Sequence, residues 1–275
     1  MMFNFNKYTV LFFAAFLWSV SAQAQINVES FASQSTESGW GAYVKGSGTF
    51  MSGNVNLLYL RSDLGIRYLT LHDDAVAEDS DENPYIKDRV LLTGYYTRKE
   101  AGEAILDNEW YLHLRYTRMQ WKHFGADFYV QQQFDEFHRL ISRTLVGSGM
   151  RAVVFNNKKI GLWFGSGYMA EAETRSLPEL STEPVDVQNH RWSNYATLNW
   201  QIIPEHLHFS NTAYYQPRLD DFNDIQALNE GKLNVPISDK ISVGGSWIIR
   251  YDSMPPADVE ALDIKVLGFV NITIL

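Results

Sequence analysis

The 275-residue chain contains no cysteine. That excludes disulfide frameworks, thiolate metal sites, cysteine nucleophiles and a lipidated N-terminal cysteine. No stretch approaches the roughly eighteen consecutive apolar residues that a membrane-spanning helix needs. Positive charge is scarce: 23 Lys and Arg face 32 Asp and Glu, a formal −9, which leaves no basic face for nucleic acid. Phosphate loops, zincin helices and dinucleotide fingerprints are missing. The two Gly-Ser-Gly stretches at 147–149 and 165–167 are not nucleophile elbows, which need strand, serine and helix in succession. Glycines there more readily bend a sheet or relieve crowding.

What is present begins with Lys7, an apolar run from Tyr8 to Trp18, and small residues ending Ala22-Gln23-Ala24. A positive start, a short apolar core and an A-x-A site describe a secretory signal peptide, with cleavage expected after Ala24. Residues 25–38 form a polar, flexible lead-in, and 39–275 a single barrel domain. Aromatic residues reach 14%, while mean hydropathy is only −0.23. That combination suits strands with one lipid-facing and one polar face.

The clearest pattern lies between Arg191 and Gln216. Trp192, Ala196, Leu198, Trp200 and Ile202 share one parity; Arg191, Ser193, Tyr195, Thr197, Asn199 and Gln201 share the other. After Pro204-Glu205 the alternation resumes, with Leu207, Phe209, Ala213 and Tyr215 against His206, His208, Thr212, Tyr214 and Gln216. Period-two alternation marks strands, and the proline marks the turn of a long hairpin. The rest of the chain reads similarly. Strands are expected at 40–50, from Val55, at 90–98, 109–120, 127–135, 139–155, 159–172, 222–233, 241–251 and 262–275. An acidic loop falls at 72–83 and a long loop at 175–188, and Pro236 to Asp239 is read as a turn. The total is about twelve, an even number, each strand able to cross a bilayer when tilted. The chain ends inside its last strand, as expected if that strand closes on the first. The fold class is therefore all-β, an antiparallel up-and-down transmembrane β-barrel. A soluble exported β-sandwich is the competing architecture.

Beyond periodicity, the chain resembles the domain-of-unknown-function family 481, whose members are labelled salt-induced outer membrane proteins. The resemblance rests on GSGTFMSGNVNL at 46–57, FDEFHRLISRTLVGSGMR at 134–151 and NNKKIGLWFGSGYM at 156–169. It continues in TAYYQPRLDD at 212–221 and RYDSMPPADVEALDIKV at 250–266. It implies a barrel in the Gram-negative bacterial outer membrane, with lipid and the barrel assembly machinery as partners and no established activity. The chain departs from the family pattern in its acidic insert and in ending on Leu275 rather than an aromatic residue.

The residues most able to do something are the charges on the polar parity. Arg61, Arg67, Glu109, His113, Arg115, Arg191, Arg250 and Asp252 form the expected lumen network, joined by Asp63, Asp127, Asp224 and Asp263. Opposite charges in a narrow interior pair and fill it, whereas a wide pore keeps water. Glu109, His113 and Arg115 could also form an acid–base site, and His206 with His208 a metal pair. A structural network and a rim pair are the simpler readings. No catalytic residue, metal site or cofactor is assigned. The expected role is a largely closed or narrow barrel serving the envelope, or passing a small solute or ion. A barrel enzyme acting on lipid or peptide is the alternative.

Overall fold

A computed structural model describes residues 38–72, 80–238 and 241–272. The signal segment, almost all of the lead-in, most of the acidic loop and Leu275 lie outside these residues. Twelve strands run in chain order. They are β1 (Gly39–Met51), β2 (Leu57–Leu71), β3 (Ile86–Ala101), β4 (Ala104–Arg118), β5 (Phe124–Asp135) and β6 (Leu140–Asn156). They continue as β7 (Ile160–Arg175), β8 (Asp186–Ile203), β9 (Leu207–Pro217), β10 (Ile225–Ser238), β11 (Ile241–Asp252) and β12 (Leu262–Ile272). Each pairs antiparallel with its sequence neighbours in one twelve-stranded sheet. This is the up-and-down barrel that the alternation predicts. Among the described residues no ladder joins β1 to β12.

The sheet is turned inside out relative to a water-soluble sandwich. On β4, Leu112 and Leu114 are 43% and 47% exposed, while the intervening His113 is 3% exposed. Glu109, Tyr111, Arg115 and Thr117 are buried on the same inner face. A sandwich would bury the leucines and expose the charges. Here the outer face is apolar and the polar groups line the interior, which suits a lipid surround. The hairpin between Arg191 and Gln216 follows suit: Trp192 and Tyr215 point outward, and Arg191, Thr197, Thr212 and Gln216 are buried.

Two glycines in the sheet make room for rings. Gly147 lies under the Tyr129 ring and Gly165 under the Tyr195 ring, so a side chain at either would collide with the aromatic neighbour. Crowding relief is thus their role, as expected.

Several element boundaries differ from the sequence expectation. β3 and β4 extend to a turn at Gly102 and Glu103, so residues 104–108 are strand rather than connection. β7 and β8 likewise absorb both ends of the expected 175–188 loop, leaving 176–185. β10 starts at Ile225 and runs through Pro236 to Ser238, where a register shift lets the strand tolerate a residue that cannot donate to the ladder.

The connections at the two ends are unequal. The end carrying 52–56, 102–103, 136–139, 176–185, 218–224 and 253–261 is here called the upper end, and the longest gap between strands, 72–85, lies at the opposite end. The lower end carries 119–123, 157–159 and 204–206, and the 72–85 connection.

Candidate functional site: a polar lumen crossed by ion pairs

The sequence-predicted lumen residues all lie on the inner face, but in separate layers. On one side of the upper half, Arg191 is 2% exposed, with its Nε 2.8 Å from Glu171 and its Nη1 3.0 Å from Asp224. Arg143 meets the same Glu171, and its Nε lies 3.1 Å from Glu173. Its Nη2 also donates to Gln226 Oε1 at 2.5 Å, spanning from β6 to β10. Gln226 in turn donates to Asp252 at 3.2 Å. Glu171 is therefore shared by two buried guanidiniums, and the cluster stretches from β6 to β11. The opposite side has its own group. Tyr95 donates to Glu109 at 3.2 Å, and Arg61 stacks 4.5 Å over the Tyr95 ring while pairing with Asp63 at 2.7 Å. Arg250 is buried beside Asp263, its register partner on β12. Arg67 packs against Gly41 of β1.

Below these lies an aromatic column. Tyr95, Tyr111, His113 and Tyr129 stack in succession with ring centroids 5.6, 6.1 and 5.7 Å apart. His113 Nδ1 sits 3.1 Å from Gln131. The acid–base arrangement of Glu109 with His113 does not form. Four residues along a strand separate them by about 13 Å, too far for direct proton transfer. The histidine pair is not assembled either: His206 lies in the β8–β9 turn with Nδ1 2.9 Å from the Pro204 carbonyl.

Lower still, Asp127 accepts hydrogen bonds from Thr117 at 2.5 Å and from Tyr195 at 2.8 Å. Arg151 donates to the Tyr195 hydroxyl at 2.8 Å, and Arg115 lies 5.7 and 5.8 Å from the Tyr129 and Tyr195 ring centroids. A cavity of about 50 Å³ adjoins Arg115, Tyr129 and Tyr195. That holds a few waters at most.

The upper mouth is spanned by contacts that the sequence did not suggest, and no loop was expected to fold over it. His138, in the β5–β6 turn, lies 2.7 Å from Asp135 and 3.0 Å from Asp263 at the start of β12. Arg139 reaches Asp258 at 3.3 Å, and the Ala257 amide donates to Glu183 of the β7–β8 loop. Three upper connections are thereby tied together, over a cavity of about 60 Å³ lined by Arg143, Arg250 and Pro256. Burial works against charge on His138, but its two carboxylate partners outweigh it and push the imidazole up to about 9.

Sequence reading missed Arg143, Glu171 and His138. For the first two a signal existed. Glu171 and Glu173 alternate with Ala170 and Ala172, and Arg143 shares parity with Gly147 and Gly149. Nothing local marks His138, whose second partner is 125 positions away.

Against this geometry, the family model described as "Protein of unknown function, DUF481" matches residues 86–267, from β3 well into β12. The chain belongs to that family. The resemblance read at 46–57 falls outside the DUF481 match. Among solved structures the chain is similar to the NanC porin, with a TM-score of 0.44 and 10% identity over 86% of this chain and 98% of that one. No curated protein matches it.

Proposed function

We propose that this DUF481 member is an outer-membrane barrel with a narrow, largely closed lumen, serving envelope integrity and admitting at most small solutes or ions. The observation that carries this reading is the buried ion network reaching from Arg143 through Glu171 and Arg191 to Asp224. Side chains that span a lumen and neutralise one another leave no water column. The apolar outer face, together with the export signal expected at the N-terminus, supports the outer membrane. On this reading the barrel is not an enzyme, because its interior acids, bases and guanidiniums are spent on one another. Lipid and the barrel assembly machinery are its partners, and it needs no cofactor.

Two measurements test it. Protein extracted from outer membranes with detergent should have an intact mass beginning at Gln25. Proteoliposomes carrying it should not swell in isotonic sugar. Recovery in the soluble periplasmic fraction would end the membrane reading, and rapid swelling would end the narrow one.

A further inference from the structure

The inner face is packed on one side of the sheet and open on the other. On β4 to β8 its side chains are shut away, Glu109, Arg143 and Thr197 among them. The sector formed by β10 to β12 differs. Its inner row runs through Lys232, Ser246 and Leu267, each the register partner of the next. Lys232 is exposed, Ser246 is half-buried and Leu267 is 36% exposed. Phe269, next on the inner face of β12, lies over Gly244, with the Lys232 ammonium 4.7 Å from its ring centroid. Ser47 and Thr49, on the inner face of β1, are exposed as well. Ile248, Leu267 and Phe269 thus give this sector an apolar floor beside the β1–β12 seam. Apolar surface left open in this way favours a cover.

We infer that residues 25–37, the stretch between the expected cleavage site and β1, turn back into the barrel and cover this face as an internal plug. The chain enters β1 at the lower rim, at Gly39, whose φ of +126° breaks the extended run at a conformation suited to glycine. Ser38 is held there, its Oγ accepting from the Leu71 amide at 3.2 Å. With cleavage after Ala24, the thirteen residues 25–37 equal the thirteen of β1 in number. A fully extended chain of that length reaches about 45 Å, enough to run from the lower rim past Leu267. The segment is polar on both parities, which suits a polar lumen and not a lipid face. Its apolar members Ile26, Val28 and Phe31 supply contacts for the floor, and its charges, Glu29 and Glu37, are opposite in sign to Lys232. The inference rests on the narrow-barrel reading: ion pairs fill one side of the lumen and the plug the other.

The absence of cysteine makes a single introduced thiol a clean reporter. Leu267→Cys is labelled with a bulky, membrane-impermeant maleimide in the folded, detergent-extracted full chain, with heat-modifiable gel mobility as the check on folding. Labelling should be slow there. It should be about tenfold faster or more when residues 27–37 are deleted, since shielding follows the fraction of time the segment stays docked. A second variant keeps the segment at full length but carries Val28→Asp and Phe31→Asp. It should also label faster, and it serves if the deletion does not fold. Equal labelling rates in the full chain and the variants would overturn the plug, and would mean that β12 is covered by β1 or not at all. Conductance in planar bilayers separates this result from the reading beneath it. Steps that appear only on deletion support the plug. Large steps from the unaltered protein would refute the narrow barrel and, with it, a plug that seals.

Discussion

Glu171 is the residue on which the interior depends most. It lies between two guanidiniums that have no solvent to fall back on. Removing one member of a buried charge group leaves the others uncompensated, which typically costs about 3–5 kcal/mol. Glu171→Ala should therefore destabilise the barrel by an amount in that range in a urea titration of protein folded into lipid vesicles. A loss below about 1 kcal/mol, the level of surface pairs, would show that the cluster is hydrated. A second residue-level prediction concerns shape rather than charge. Gly165→Val drives two methyls into the Tyr195 ring and should cost about 1–3 kcal/mol by overpacking. Combining it with Tyr195→Ala should restore much of the loss; additive losses would place the strain elsewhere.

Among the elements, β4 gives the sharpest test of facing. Leu112→Arg puts a charge on the apolar outer face and should cost about 2–4 kcal/mol near the bilayer midplane, while Leu112→Phe should be nearly neutral. Equal effects in the same titration would mean that the face does not meet lipid. The strands were largely legible in the sequence because alternation is local: neighbours on a strand must face opposite ways whatever lies across the sheet. Strand number, hairpin order and the facing of Arg61, Glu109, Arg115 and Arg191 followed from it. Strand ends were less legible. Residues 104–108 and Pro236 belong to strands because their partners on β3 and β11 hold them there. Pairings across the lumen were not legible at all. The meeting of Arg143 with Gln226, or of His138 with Asp263, depends on how far the sheet curls, and no short window records that.

For the whole molecule, the proposed closure rests on two devices, the upper ion network and the clasp at the upper mouth. The clasp is pH-dependent, and its sign follows from His138. The folded-state value of about 9 lies above the ordinary histidine value of 6.5, so the protonated form is stabilised by folding. That contribution is fully present below pH 6.5 and is lost as pH rises through about 9. A shift of that size corresponds to roughly 3 kcal/mol. Protease nicking within 253–261 should accordingly increase above pH 9 in the unaltered protein and be high at all pH values in His138→Ala. Nicking that ignores pH in both would remove the histidine from the clasp.

The claim that the lumen is closed is tested most directly by conductance in planar lipid bilayers. The unaltered protein should show little or no unitary conductance, and Glu171→Ala combined with Arg191→Ala should open measurable steps. Large, stable, water-filled channels from the unaltered protein would contradict the account.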